Sequence, residues 1–276
     1  MMLPSSTVPR WRALAGALGA LALLAACAGT GAPAAAPAGA GRDHVTASDE
    51  PDATKRARVR LELAGAYFGR GQMTTALDEV KLSIAADPNI GAAYNLRGLI
   101  YASLGDDALA DESFRRALQL DARDADAMQN YGWYMCQRKR YDDAQAMFDQ
   151  ALTVPQYPDT PRTLLTKGIC QARAGQWEQA EKTLQRSYEL DPSNPTTGVN
   201  LAEVLFRRGE FERARFYIRR VNSTAEFVSP STLWLAARIE NKLGNQQGTQ
   251  EFGRRLRDRF PQSREARTFD QGRFDD

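Results

Sequence analysis

A small residue recurs in this chain at Ala64, Gly98, Gly132, Gly168, Ala202 and Ala237, at intervals of 34, 34, 36, 34 and 35 residues. Seven residues after each of these anchors stands Gly71, Gly105, Lys139, Gly175, Gly209 or Gly244. Twelve after the anchor come Ala76, Ala110, Ala144, Ala180, Ala214 and, as the exception, Thr249. Four further on come Val80, Phe114, Phe148, Leu184, Ile218 and, as the exception, Gly253. Three copies close on Pro88, Pro192 and Pro261 at one shared position. A period of this length describes a supersecondary unit too small to bury its own apolar stripe, so the stack of units is what folds. The small residues let two helices approach, and the larger one fills the space between units. The glycine turns the chain where a positive φ is needed. The proline ends the second helix, because it lacks an N–H and disfavours helical geometry in the residue before it.

These positions are those of the tetratricopeptide (TPR) pattern, a helix-turn-helix unit of about 34 residues. The fold they predict is all-α: a right-handed superhelical solenoid of six TPR repeats over residues 55–263, with 264–276 left as a C-terminal tail. Thr249 and Gly253 break the pattern in the sixth copy, which suits a terminal capping repeat.

The region before the repeats reads as an export signal over residues 1–26. Arg10 and Arg12 form a basic start, and the apolar run Ala13–Ala26 is too short to span a bilayer as a helix. It ends in Leu24-Ala25-Ala26-Cys27, which resembles a bacterial lipobox whose cysteine is acylated and becomes the new N-terminus. Ala28, not aspartate, follows, and in the sorting rule of Gram-negative lipoproteins that implies the outer membrane. After Cys27, residues up to 54 are rich in Ala, Gly and Pro and read as a flexible tether. The single histidine, His44, falls in it.

The chain carries 36 basic and 34 acidic residues. Arg10 and Arg12 precede Cys27, so a chain beginning there is near neutral, which argues against nucleic acid as the main partner. Phosphate-loop, zinc-protease and serine-hydrolase motifs are absent from the sequence, and no histidine lies among the repeats to activate a nucleophile. The reading is a protein with no catalytic residues, no cofactor, no metal site and no small-molecule substrate.

Cys136 and Cys170 fall late in the first helices of the third and fourth repeats, which pack side by side. In an oxidising compartment a disulfide is a candidate, and two buried free thiols are the other reading. First helices of TPR stacks line a groove. One and four residues after the anchors come Leu99, Trp133 and Ile169, and Phe68, with Tyr94, Asn95 and Asn130 close by. This largely apolar strip flanked by amides is the candidate protein-binding groove, amides holding a peptide backbone and apolar neighbours supplying affinity. The arginines from Arg207 to Arg220 and from Arg254 to Arg259 are interleaved with Glu203, Glu210, Glu212 and Asp258. They read as a solvated helix face, or else as a docking surface for headgroups or an acidic partner.

The segment Asn130-Tyr131-Gly132-Trp133-Tyr134-Met135-Cys136 resembles the type IV pilus biogenesis and stability family, PilW or PilF. Tyr94-Asn95-Leu96-Arg97-Gly98-Leu99-Ile100-Tyr101, Gly168-Ile169-Cys170, Leu233-Trp234-Leu235 and Phe260-Pro261-Gln262-Ser263 agree with it. The resemblance implies a pilotin: a lipoprotein of the outer membrane, facing the periplasm, whose lipid on Cys27 supplies address and anchor. Its groove would hold the pilus secretin subunit, and no bond is made or broken in that role. Two other classes stay open, a TPR lipoprotein scaffold for cell-envelope hydrolases or proteases and an accessory subunit of cell-wall synthesis.

Overall fold

The computed structural model describes residues 51–274. Among them are thirteen α-helices and one short 3₁₀ turn, Ala225–Phe227. Twelve of the helices form six antiparallel pairs, here called the A and B helices of each repeat. They are α1 Asp52–Gly69 with α2 Met73–Ala86, α3 Gly91–Leu104 with α4 Asp107–Leu120, and α5 Ala125–Gln137 with α6 Tyr141–Thr153. The second half has α7 Thr160–Arg173 with α8 Trp177–Leu190, α9 Pro195–Arg207 with α10 Phe211–Asn222, and α11 Pro230–Lys242 with α12 Gln246–Arg259. The fold is a TPR solenoid.

The repeat register sets the core. The anchors are all buried, as are Ala76, Ala110, Ala144, Ala180 and Ala214 twelve residues later. Val80, Phe114, Phe148, Leu184 and Ile218 are sealed from solvent. Anchor and filler are matched in size. A Cβ on Gly98 would lie 2.8 Å from the Phe114 ring, and one on Gly168 would lie 2.6 Å from Leu184. Where the anchor is alanine, at Ala64 and Ala202, the filler is the β-branched Val80 or Ile218. All six turn positions have positive φ, from +60° at Lys139 to +82° at Gly105.

Three of the six B helices end in a shared way. Asp87, Asp121 and Asp191 are extended C-caps with φ near −140°, and each side chain accepts a hydrogen bond from a backbone N–H two residues on. That Asx turn does the work at Asp121, where no proline follows. Asp106 caps α4 by accepting from the Leu109 N–H, whereas Asp142 and Asp143 lie inside the first turn of α6.

Residues 264–276, expected as a tail, carry a thirteenth helix instead, α13 Arg264–Asp270. Ala266 and Phe269 on it are buried. The Phe269 ring occupies the hollow left by Gly253, where an added Cβ would fall 2.0 Å away. The sixth repeat thus lacks its own filler because α13 supplies one. No described helix is long and apolar enough to cross a membrane. The lipobox, Cys27, His44 and nearly all of the tether lie outside the described residues.

Candidate functional site

The strip expected along the A helices is only partly assembled as a surface. Phe68, Leu99, Trp133 and Ile169 are each half-buried against the core clusters of their repeats, with the remaining area open. Asn95 and Asn130 meet across neighbouring A helices, the Asn130 Nδ2–H donating to Asn95 Oδ1 at 3.2 Å. Asn95 is only 9% exposed, so its amide ties α3 to α5 rather than standing free for a ligand.

Tyr94 leaves the strip altogether. It precedes Gly98 by one helical turn and so shares the face that packs on α4. Its ring is buried beside Ala117 and Ala127, with the guanidinium groups of Arg97 at 4.9 Å and Arg116 at 5.7 Å from its centroid. Arg97 also donates from Nε to Ser113 Oγ at 2.9 Å, which accounts for an arginine at a position where TPR repeats commonly carry leucine.

Sequence reasoning missed the arginines that cover two rings on the A helices, Trp133 of the strip and Phe206 on α9. Arg173 lies 4.7 Å from the centroid of Trp133, and Arg238 lies 4.5 Å from that of Phe206. It also missed α1, where Val59 and Leu63 are exposed beside Lys55, Arg56 and Arg60 over an open depression of about 440 Å³. Arg238 stands one residue after its anchor, as Leu99, Trp133 and Ile169 do, but its ring partner is 32 residues away and the repeat pattern does not pair them.

Cys136 and Cys170 are joined by a disulfide with Cα atoms 5.8 Å apart. Both are buried, so the bond fastens α5 to α7 inside the core. The arginine cluster of the fifth repeat is largely spent on its neighbours. Glu181 on α8 is paired with Arg208 and Arg213. Glu240 on α11, 1% exposed, is held by Arg219 through Nε at 2.8 Å and by the Asn245 amide at 2.6 Å, with Arg215 at 3.7 Å. These are inter-repeat fastenings, not a free cationic surface. Among the described residues no group of three or more His, Cys, Asp or Glu side chains could hold a metal ion.

Models of the tetratricopeptide repeat match residues 91–124, 137–195 and 171–226. The crystal structure of PilW, a widely conserved type IV pilus biogenesis factor, is 33% identical, with 77% of this chain and 97% of that one aligned at a TM-score of 0.71. The type IV pilus assembly protein PilF of Pseudomonas aeruginosa is 24% identical over 218 residues, which are 79% of this chain and 85% of the relative. A solved Pseudomonas aeruginosa PilF structure superposes with a TM-score of 0.70 at 23% identity, over 80% of this chain and all of that one, a likeness of fold.

Proposed function

This chain belongs to the family of tetratricopeptide proteins of type IV pilus biogenesis that includes PilW and PilF, and from that membership we propose that it is a non-enzymatic pilotin. In this reading Cys27 is acylated and anchors the protein in the outer membrane, facing the periplasm. The repeats hold the pilus secretin subunit and promote its arrival and assembly as a multimer. The observation that carries the reading is the 33% identity to PilW over 77% of this chain and 97% of that one, far more than one repeat.

The half-buried apolar strip of Phe68, Leu99, Trp133 and Ile169 is the surface assigned to the subunit. It combines apolar area with rigid backing from six stacked repeats, the conditions under which a groove takes an amphipathic or extended segment. Its amides play a smaller part than the sequence suggested, because Asn95 and Asn130 bond each other.

The test is deletion of the gene followed by a count of heat-resistant secretin multimers, with complementation by strip variants. Leu99→Glu and Ile169→Glu should stay folded, since both side chains are partly open, and should lower multimer yield. Normal yield from both folded variants would show that the A-helix strip is the wrong surface. Capture of murein enzymes in place of secretin would favour the scaffold reading instead.

A further inference from the structure

We propose that the sixth-repeat end of the A-helix strip is a binding site for an extended partner segment in which an aromatic residue is followed by acidic ones, and that the molecule's own Phe274 is seated in it. Trp234 and Arg238 stand three before and one after the anchor Ala237. Those are the register positions of Asn95 and Leu99 in the second repeat, so this site continues the same strip. The Phe274 ring stacks on Trp234 with centroids 5.4 Å apart and planes 25° apart. Its backbone carbonyl accepts a hydrogen bond from Arg238 Nε at 3.2 Å. Gly272, with φ +66°, turns the chain back after α13 to make this possible.

Phe274 also meets the Phe269 ring edge-on at 5.5 Å and packs against the terminal core. Two observations separate this contact from a mere end cap. Phe274 itself is only half-buried. Arg238 is 9% exposed, and no carboxylate among the described residues bonds it. Its guanidinium rests on the Phe206 ring and on a neutral carbonyl. The other deeply placed charges of this region, Glu181 and Glu240, are matched by opposite charge. A carboxylate reaching Arg238 would neutralise its charge and could accept two parallel N–H bonds, neither of which a single carbonyl supplies. The site therefore offers an aromatic shelf, Trp234, beside a guanidinium to which no described carboxylate is bonded. The sequence at this point reads Phe274-Asp275-Asp276, with the two aspartates outside the described residues, and it supplies the pattern for the ligand.

The proposal rests on the A-helix strip as a docking face and not on the secretin as partner. The experiment uses the full chain and a fluorescein-labelled hexapeptide, Gln-Gly-Arg-Phe-Asp-Asp. Phe274→Ala should empty the site and bind the probe at least about tenfold more tightly than the unaltered protein, in which the seated residue competes. A probe with alanine for its phenylalanine should bind about tenfold more weakly, and adding Arg238→Gln should remove the gain. Hydrogen exchange in α11 and α12 checks that the variant keeps its sixth repeat. If it does and binds no better than the unaltered protein, Phe274 is a structural cap and the proposal fails. If the variant loses that repeat, the unaltered protein decides: unlabelled probe in excess should move the Trp234 indole N–H resonance, and no movement at millimolar probe overturns the site. No secretin enters the assay, so its failure leaves the pilotin reading standing.

Discussion

At single residues, the repeat pattern makes exceptions interpretable. Lys139 is the one turn position without glycine, yet it holds φ +60°. A left-handed conformation costs a residue with a Cβ about 1–2 kcal/mol, partly offset by the greater freedom glycine loses on folding. Lys139→Gly should therefore stabilise the protein by up to about 1 kcal/mol, read as a higher melting temperature. The opposite change is Gly168→Ala, whose new Cβ would fall 2.6 Å from Leu184. Overpacking of that kind costs about 1–3 kcal/mol, and Leu184→Val in the same chain should recover much of it by restoring the alanine–valine pairing of Ala64 and Val80. If the double variant is no more stable than Gly168→Ala alone, the size-matching account fails. The same pattern explains what was not legible at this scale. The placing of Tyr94 could be deduced from its spacing to Gly98, but the bond between Asn95 and Asn130 depends on how two A helices cross. Arg173 over Trp133 and Arg238 over Phe206 join residues 40 and 32 apart, which no local pattern encodes.

For the helices, the sequence announced twelve of the thirteen, because each interior pair repeats the spacing of its neighbours. It missed α13, whose only trace was a missing filler at Gly253. Read as degeneracy, that glycine was in fact the imprint of Phe269. The loop between α6 and α7 was legible as an insertion, while its role was not. Tyr157 in that loop donates its hydroxyl to Asp126 at the start of α5 at 2.9 Å. Burial is the main cause that lifts its phenol from the ordinary value of 10.0 to about 12. Burial, then the hydrogen bond to Asp111, likewise raises the Tyr131 phenol. In the unfolded chain both ionise near their ordinary value, so the stability they contribute is intact below that pH. It is lost as pH rises through the window from about 10 towards 12. Melting temperature should accordingly fall more steeply above about pH 10 than below it, and Tyr157→Phe should reduce the slope. An unchanged slope in that variant would mean that Tyr157 ionises alike in both states.

Across the whole stack, stability is a sum of repeats and of the joints between them, and here the joints differ in kind. The first repeat spends the hydrogen bonds of Thr54, Arg60 and Ser83 within itself, and meets the second through Val80, Ala93 and Ile100. The second and third are tied by Asn95 with Asn130, by Tyr131 and Arg140 on Asp111, and by Arg138 on Asp107. The third and fourth share the Cys136–Cys170 bond and the pair Lys167–Asp149. Glu181 and Glu240 then fasten the fifth repeat on both sides. Among the described residues the first joint is apolar, and such a joint opens at lower cost than one that also breaks polar pairs, so the stack should open from α1 and α2 inward. Native-state hydrogen exchange should show the least protection in α1 and α2 and the most in α5 to α8. Closing a loop of about 34 residues contributes roughly 3–4 kcal/mol in the chain-entropy account. Reduction should therefore lower protection in the third and fourth repeats together, and move the first repeat little. Equal protection of α1–α2 and α5–α8 in the oxidised protein would contradict this order. So would a uniform loss across all six repeats on reduction, since that would make the stack one cooperative unit in which no joint can be told from another.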